Sequence, residues 1–278
     1  MKNCLVVFPL YKQPTVLELS FLENGLEKTS NFDHVIVAPQ SLEINAHFGN
    51  LNSLKVIRFE NFYFESLFGY NQLMLSAKFY QKFSDYKYIL IHQSDVFLFQ
   101  DNLAEWCNKG YDYIGAPWFR PEKLNQTAIQ KWLSALKTSL FHHKKYNQRH
   151  NKCGNGGLSL RKVSTALQVL KDCPKSLLNK YYYLDKACYN EDIFWSLEAP
   201  ALVADFKIPD LEEGLQFAFE FKPKEAFALK AEQLPFGCHA PLKHEPAFWS
   251  KYIPSIKQYA VQNRILINMA VCCIEVNS

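Results

Sequence analysis

Residues 86–97 have the sequence YKYILIHQSDVF, an apolar run that turns polar near its end. The run from Tyr88 to Ile91 is too short for a helix and is typical of a strand buried on both faces. In open α/β sheets, ligands bind outside the carboxyl ends of the strands. Asp95 would lie at such an end, two residues after Gln93, where a carboxylate can hold a divalent cation against a diphosphate. The alternative is an aspartate that only caps the next turn or helix.

Strand-like and helix-like segments alternate through the first hundred residues. Short apolar runs predict further strands, and apolar residues at helical spacing predict helices, over residues 4–8, 14–28, 34–38, 55–59 and 65–83. We therefore expect one α/β domain with a Rossmann-type, mostly parallel central sheet flanked by helices. No glycine-rich phosphate loop follows the first strand, which argues against a Rossmann dehydrogenase and against a P-loop NTPase.

Composition narrows the class of protein further. Hydrophobic residues make up 48% and charged residues 21% of the 278 residues, so the chain can bury a sizeable core. The net charge of +4 is too weak to indicate nucleic-acid binding. The eight cysteines include no CxxC pair, and we expect neither a signal peptide nor a membrane span. Free thiols without an export signal predict a cytoplasmic protein.

Residues 120–152 carry eight lysines or arginines and one acid, Glu122. Apolar residues at helical spacing within this stretch predict a basic amphipathic helix that continues into a basic loop. Such a helix can lie on an anionic membrane or bind an anionic acceptor. The membrane would be the inner face of the plasma membrane. A core-packed helix with a solvated basic face explains the pattern equally well.

Three later motifs contain candidate site residues. Residues 154–161, GNGGLSLR, hold three glycines in four residues, which permits close backbone approach to a ligand or forms a tight turn into a strand. In NEDIFWS at 190–196, Asn190 is a good helix cap, and Glu191 or Asp192 could be a general base or merely suit the helix dipole. His239 lies between two prolines, as a rigid structural residue or a ligand.

Five motifs occur in order: HQSDVF (92–97), YDYIGAPW (111–118), GNGGLSLR (154–161), NEDIFWS (190–196) and PFGCHA (235–240). Together they resemble an uncharacterised family of mostly bacterial glycosyltransferase-like proteins, known by a domain-of-unknown-function label. The resemblance extends from about residue 4 to about residue 253. The order is also similar to that of GT-A-fold enzymes that use nucleotide sugars, so the resemblance implies a GT-A-like fold.

The resemblance also implies roles for individual residues. In GT-A enzymes a D-x-D-type motif binds the metal and the donor diphosphate. This chain has Gln93-Ser94-Asp95 there, so Asp95 would be the only carboxylate ligand of a Mn²⁺ or Mg²⁺ ion, with His239 completing the metal shell. Asp192 would be the catalytic base of an inverting reaction, with Glu191 orienting the acceptor or the base, and retention stays an alternative. The donor site would include Gly156, Gly157 and Arg161.

These implications define the expected function and three parts of the chain. Residues 1–118 would bind a nucleotide sugar, expected to be a UDP-sugar, near Phe8, Pro9 and Tyr11. Residues 119–152 would form the basic helical insertion. Residues 153–278 would include C-terminal helices and bind the acceptor, a surface glycan or glycolipid such as lipopolysaccharide, near Trp118, Gly156 and Trp195. The enzyme would transfer a hexosyl or N-acetylhexosaminyl group. Alternatives are a non-catalytic glycan- or nucleotide-binding protein on the same fold and a nucleotidyltransferase.

Overall fold

The computed structural model describes residues 1–124, 148–259 and 261. Its strands, numbered along the chain, are β1 (Lys2–Pro9), β2 (Asp33–Pro39), β3 (Lys55–Phe59), β4 (Tyr86–His92), β5 (Val96–Leu98), β6 (Tyr113–Pro117), β7 (Cys153–Lys162), β8 (Ala218–Phe219) and β9 (Gly237–His239). Its α-helices are α1 (Val16–Lys28), α2 (Leu67–Met74), α3 (Ala77–Gln81), α4 (Leu103–Asn108), α5 (Val163–Asp172), α6 (Lys175–Tyr183), α7 (Glu191–Ile193), α8 (Leu211–Phe217), α9 (Pro223–Leu229) and α10 (Pro246–Trp249).

The central sheet has six strands in the order β3-β2-β1-β4-β7-β6. Strands β3, β2, β1 and β4 are parallel, and β7 runs antiparallel to both β4 and β6. The predicted mostly parallel sheet is therefore confirmed, with β7 as the reversed strand. Because of this reversal, the start of β7 lies at the same edge as the carboxyl ends of β1, β4 and β6.

The two faces of the central sheet pack into separate apolar clusters. Along β1, Val6 contacts one cluster and Val7 the other, and along β4 Leu90 and Ile91 divide in the same way. Neighbouring side chains of a strand point to opposite faces, so a strand covered on both sides is apolar at every position. This explains why these strands appear in the sequence as continuous apolar runs.

A second, small sheet has the order β5-β9-β8 and positions the end of β4 against a distant part of the chain. Strand β5 begins directly after Asp95, and its pairing with β9 sets Val96 opposite His239. The Ala240 N–H also donates to the carbonyl of Asp95 at 2.9 Å. Backbone pairing therefore brings two of the predicted site residues together.

Two local predictions differ from the structure. The helix expected over 65–83 is divided into α2 and α3. At the break, the carbonyls of Met74 and Leu75 accept from the hydroxyls of Tyr80 and Tyr182. Of the two interpretations of the glycine-rich run, the tight turn into a strand is wrong, because the run lies within β7, opposite a shift in register between Gly115 and Pro117 of β6.

Most of the predicted basic insertion lies outside the described residues, and its contact with a membrane stays a prediction. The predicted C-terminal helices begin with α10 and continue over 254–259 and at 261, beyond which they too lie outside the described residues. Within the part of the chain that the structure covers, no helix is both long and apolar enough to cross a membrane.

Candidate active site

The carboxyl end of β4 meets β9 and the start of β7 at one edge of the sheet. Here Oδ1 of Asp95 lies 3.3 Å from Nε2 of His239. The Gln93 N–H donates to the carbonyl of Gly157 at 3.1 Å, which ties the end of β4 to the glycine-rich part of β7. Four of the residues singled out from the sequence therefore lie together.

His239 lies between two carboxylates. Its Nδ1 atom is 3.4 Å from Oε1 of Glu220, a buried acid that directly follows β8. Burial acts to lower the pKa of His239, but the charges of Asp95 and Glu220 outweigh it and raise the pKa to about 10. The ring is therefore an imidazolium at neutral pH. The pKa of Asp95 is lowered despite burial, because His239 stabilises its charged form.

Asp95 and His239 can serve as two ligands of a divalent cation. A carboxylate oxygen suits Mn²⁺ or Mg²⁺, and Glu220 lies behind the imidazole where a carboxylate commonly orients a metal-binding histidine. Among the residues that the structure describes, no group of three histidines, cysteines or acids could hold a metal by itself. The pair therefore fits a cation whose other ligands are water and substrate phosphates.

A cavity of about 390 Å³ opens beside Asp95 at the ends of β1 and β4. It is lined by Pro9, Tyr11, Glu18, Phe64, Glu65, Ser66, Leu67, Tyr70, Gln93, Ser94 and Asp95. Most of the predicted nucleotide-site residues thus line one cavity. Phe8 does not, because its ring is fully buried in the core, edge-on to His92.

Glu191 and Arg161 form a buried, two-pronged ion pair. Arg161 donates from Nη1 to Oε2 of Glu191 at 2.9 Å and from Nη2 to Oε1 at 3.0 Å. Its Nε donates to Ser159 at 3.0 Å, and Nη1 also donates to the Tyr80 hydroxyl at 3.1 Å. Both charged side chains are buried and lie outside the lining of the cavity beside Asp95. Their geometry therefore suits fixing α7 to β7 rather than direct contact with a nucleotide.

Helix α7 is capped by a residue from another helix. The Glu191 N–H donates to Oδ1 of Asn71 at 3.1 Å, and Asn71 donates to the side chain of Asn190 at 3.2 Å. The Asn190 side chain itself makes no capping hydrogen bond. The predicted local cap is thus replaced by Asn71 of α2, which fixes the start of the helix that carries Asp192.

Asp192 is half-buried and titrates near neutral pH. Burial raises the pKa of its carboxyl to about 7, and the charges of Glu191 and Glu220 add to the shift. The Ile193 N–H donates to its Oδ1 atom at 2.7 Å. A carboxylate with this pKa is well matched to accept a proton at neutral pH.

The two adjacent glycines of β7 make room for the charged side chains. A Cβ on Gly156 would overlap Oε1 of Glu191, and a Cβ on Gly157 would overlap the ring of His239. The glycine-rich run therefore permits close approach by side chains of the same chain. It explains the three-glycine pattern without requiring an unusual backbone angle at these positions.

Other residues of the arrangement have no clear signal in the sequence. Glu220, Asn71 and Tyr70 belong to segments that contain no recognisable motif. Trp195, expected near the acceptor, is instead buried in the core against Tyr80 and Phe194.

Comparison with solved structures identifies the class of fold. The galactosyltransferase LgtC, solved in complex with donor and acceptor sugar analogues, has a TM-score of 0.50 at 13% identity, covering 84% of this chain and 86% of that one. A glycosyltransferase involved in glycosylation of the major capsid of PBCV-1 has a TM-score of 0.48 at 10% identity, covering 85% of this chain and 93% of that one. The mixed α/β architecture is that of GT-A glycosyltransferases.

A more distant likeness is to glucosyl-3-phosphoglycerate synthase from Mycobacterium tuberculosis, solved with Mn²⁺, UDP-glucose and phosphoglyceric acid. Its TM-score is 0.32 at 8% identity, covering 59% of this chain and 57% of that one. No curated protein matches the sequence. The family described as "Protein of unknown function (DUF5672)" matches residues 53–239, more than half of the chain, and the chain belongs to that family.

Proposed function

We propose that this protein is a glycosyltransferase that moves a sugar from a nucleoside-diphosphate sugar to a hydroxyl of a carbohydrate acceptor. The observation that carries the proposal is the contact of Asp95 with His239 beside a cavity of about 390 Å³. Asp192 does not line this cavity, but it lies close enough to Glu220, the second carboxylate at His239, for the Glu220 charge to raise its pKa. This volume is within the range of small-ligand sites, and the cavity lies at the strand ends where α/β folds bind nucleotides.

The nucleotide would occupy the cavity beside Asp95. Tyr11 and Tyr70 supply aromatic surface for a base, for which we propose uracil, while the diphosphate would face Asp95. Three carboxylates line this cavity, those of Glu18, Glu65 and Asp95, and no lysine or arginine of the described part does so. A diphosphate therefore requires added positive charge, which the His239 imidazolium or a divalent cation would supply.

A divalent cation, when bound by Asp95 and His239, would neutralise charge that develops on the leaving diphosphate. The protein's own residues perform the remaining work. Asp192 would accept the proton of the acceptor hydroxyl as its oxygen bonds to the anomeric carbon. The bond from that carbon to the diphosphate breaks, and its electron pair leaves with the nucleoside diphosphate. A single displacement of this kind inverts the anomeric configuration.

Glu191 and Arg161 would act as positioning residues. Their ion pair joins α7 to β7, and Gly156 allows the close approach of Glu191 that the pair requires. These contacts fix the helix that carries Asp192 against β7, which would keep the base in place for the acceptor. We propose a hexosyl or N-acetylhexosaminyl group as the transferred sugar and a surface glycan or glycolipid as the acceptor, in line with the family resemblance.

The first test is a thermal-shift screen of the protein with UDP, GDP, CMP and dTDP, each with and without Mn²⁺. A ligand that binds only the folded state raises Tm. We expect a shift with one nucleotide, which identifies the donor class. If no nucleotide raises Tm, a protein that binds glycans without transferring sugar becomes the better explanation.

The second test uses sugar donors of the nucleotide identified by that screen. Release of the nucleoside diphosphate should fall in Asp192→Asn by roughly a hundredfold or more, with nucleotide binding retained. In the wild-type protein the rate should rise with pH through about 7, since Asp192 must be ionised to accept a proton. Release of pyrophosphate from a nucleoside triphosphate would instead indicate a nucleotidyltransferase.

A further inference from the structure

A second cavity, of about 290 Å³, lies beside the candidate active site. Its walls include Trp118 and Arg120 after β6, Arg149 before β7, and Phe221 and Lys222 after β8. Four neighbouring strands of the central sheet have the order β1-β4-β7-β6. The cavity beside Asp95, here called the nucleotide cavity, lies at the ends of β1 and β4, and the second cavity lies at the end of β6. The glycine-rich start of β7, which supports Glu191 and His239, lies between the two cavities.

The two cavities have opposite charge. Among the described residues, Arg120, Arg149 and Lys222 line the second cavity together with a single acid, Glu122, and Lys222 also lies 3.6 Å from the exposed Glu225. The nucleotide cavity has three carboxylates and, in the described part of the chain, no lysine or arginine. The cations of the second cavity therefore suit it to a negatively charged group, whereas the carboxylates of the nucleotide cavity would repel such a group unless positive charge is added.

One cation of the second cavity, Arg149, is held in place by an aromatic ring. Its guanidinium lies over the ring of Trp118, 5.5 Å from the centroid, and that ring rests on Gly154, where a Cβ would overlap it. Asn151 fixes the backbone of Arg120, accepting from its N–H at 2.7 Å and donating to its carbonyl at 3.1 Å, while the side chains of Arg120 and Lys222 are exposed. A preorganised cation loses little conformational freedom on binding an anion, and arginine binds phosphate and carboxylate through paired hydrogen bonds.

Contacts also connect this cavity with the candidate base. Phe221 and Lys222 directly follow Glu220, which faces His239. The Phe221 ring lies 4.6 Å from the ring of His244, whose Nε2 is 3.7 Å from Glu220. Trp118 of this cavity and Ser196, which follows Asp192 by about one helical turn, both lie against Gly154, where an added Cβ would meet each of them. A molecule in the second cavity would therefore extend towards the helical segment that begins at Glu191 and carries Asp192.

We propose that the second cavity binds a phosphate or carboxylate group carried by the acceptor, so that the acceptor is an anionic sugar. This inference rests on the proposed glycosyltransferase function and assigns the chemistry of its acceptor. Trp118 and Phe221 bound the cavity with aromatic surface, Arg120, Arg149 and Lys222 neutralise the anion, and the reacting hydroxyl reaches Asp192.

The test compares the binding of glucose, glucose 6-phosphate, glucuronate and inorganic phosphate to the full chain by isothermal titration calorimetry. We expect at least one charged sugar to bind roughly tenfold more tightly than glucose, because charge-assisted hydrogen bonds are the stronger ones. If glucose 6-phosphate binds more tightly than glucuronate, the preferred anionic group is a phosphate, and the opposite order indicates a carboxylate. Binding of inorganic phosphate as tight as that of glucose 6-phosphate would overturn the proposal, because the sugar would then contribute nothing.

Variants assign the binding to this cavity. Arg149→Gln and, separately, Lys222→Gln should each remove most of the preference for the charged sugar. Lys224→Gln is the matched control, since Lys224 is exposed on the same helix start but does not line the cavity. An unchanged preference in both cavity variants, or no preference in the wild-type protein, overturns the proposal.

The nucleotide screen keeps the two proposals distinguishable. A nucleotide that raises Tm, together with no preference for charged sugars, removes the anionic acceptor and leaves the glycosyltransferase in place. If neither nucleotides nor sugars bind, the proposed function fails as well.

Discussion

The Nε2 atom of His239 lies 3.3 Å from Oδ1 of Asp95, where β9 pairs with β5. The two residues are far apart in the sequence, and backbone pairing sets their separation. A divalent cation bound here as proposed would compete with the proton on His239, because Nε2 can bind a metal only after it loses its proton. The proposed metal site therefore predicts that the effect of a cation depends on pH.

Asp95→Asn should remove the effect of Mn²⁺ on nucleotide binding. In the wild-type protein we expect Mn²⁺ to tighten binding of the nucleotide by roughly tenfold or more, and to do so more strongly as pH rises, because the pKa of His239 is raised to about 10 and its proton must leave. Titration calorimetry at pH 6.5 and 8.5, with and without Mn²⁺, measures both effects.

Glu65→Gln, which alters another carboxylate of the cavity, should keep the Mn²⁺ effect. Equal affinities with and without Mn²⁺ in the wild-type protein would leave the imidazolium as the diphosphate's counter-charge.

Asp192→Asn should stabilise the fold at neutral and alkaline pH. The pKa of Asp192 is raised to about 7 by burial, so folding favours its protonated form and its ionisation costs stability as pH rises from about 4 to about 7. Asparagine keeps an oxygen for the Ile193 N–H and carries no charge. We expect Tm at pH 8 to rise by roughly 4 °C or more, and the difference to shrink towards pH 4.

The matched control for this measurement is Asp185→Asn, because Asp185 is exposed on the surface. Its Tm should follow that of the wild-type protein at each pH. A Tm for Asp192→Asn equal to or below the wild-type value at pH 8 would show that burial does not disfavour the Asp192 charge.

The apolar pattern was sufficient to predict the central sheet but not the direction of every strand. Val6, Val7, Leu90 and Ile91 are all buried, so β1 and β4 appear as unbroken apolar runs, and the helices between strands indicate parallel crossovers. The pattern of β7 contains no information about its neighbours. Its antiparallel place between β4 and β6 depends on contacts between segments distant in the chain.

The candidate site also contains residues that the sequence indicates and residues that depend on contacts between distant segments. Asp95 was singled out because it follows the apolar run from Tyr88 to Ile91, and His239 because it lies between two prolines. The family resemblance then suggested both as metal ligands, which stays a prediction. Glu220 was missed, since an acid after a short apolar run has no special signal. It faces His239 only because β8 pairs with β9, with Ala218 opposite Gly237. Asn71 was missed for the same reason, as a residue that caps a helix far along the chain.

Breaking the ion pair between Arg161 and Glu191 from one side should destabilise the protein strongly. Glu191→Gln leaves Arg161 buried without a counter-charge, which costs about 3–5 kcal/mol of the free energy of unfolding. Urea denaturation measures this loss. The exposed pair of Lys78 and Glu60, at 2.6 Å, supplies the control, and Glu60→Gln should leave the free energy of unfolding close to the wild-type value, because exposed ion pairs contribute little to stability.

A double variant separates the charge from the packing. Arg161→Met combined with Glu191→Leu removes both charges and replaces them with apolar side chains. The double variant should therefore be less destabilised than Arg161→Met alone or Glu191→Leu alone, each of which leaves one buried charge unpaired. If Glu191→Gln costs no more than Glu60→Gln, the buried pair is not the link between α7 and β7 that we propose.

Gly157→Ala should uncouple His239 from Asp95 with little effect on the rest of the fold. The added methyl group overlaps the His239 ring and must displace it, so the tightening of nucleotide binding by Mn²⁺ should fall by roughly tenfold or more. Gly110→Ala is the control, because no atom lies within 4 Å of its added Cβ and its φ of +79° causes only backbone strain of about 1–2 kcal/mol. Calorimetric titration with and without Mn²⁺ should show wild-type behaviour for Gly110→Ala. An intact Mn²⁺ effect in Gly157→Ala would mean that the position of His239 against Asp95 does not govern cation binding.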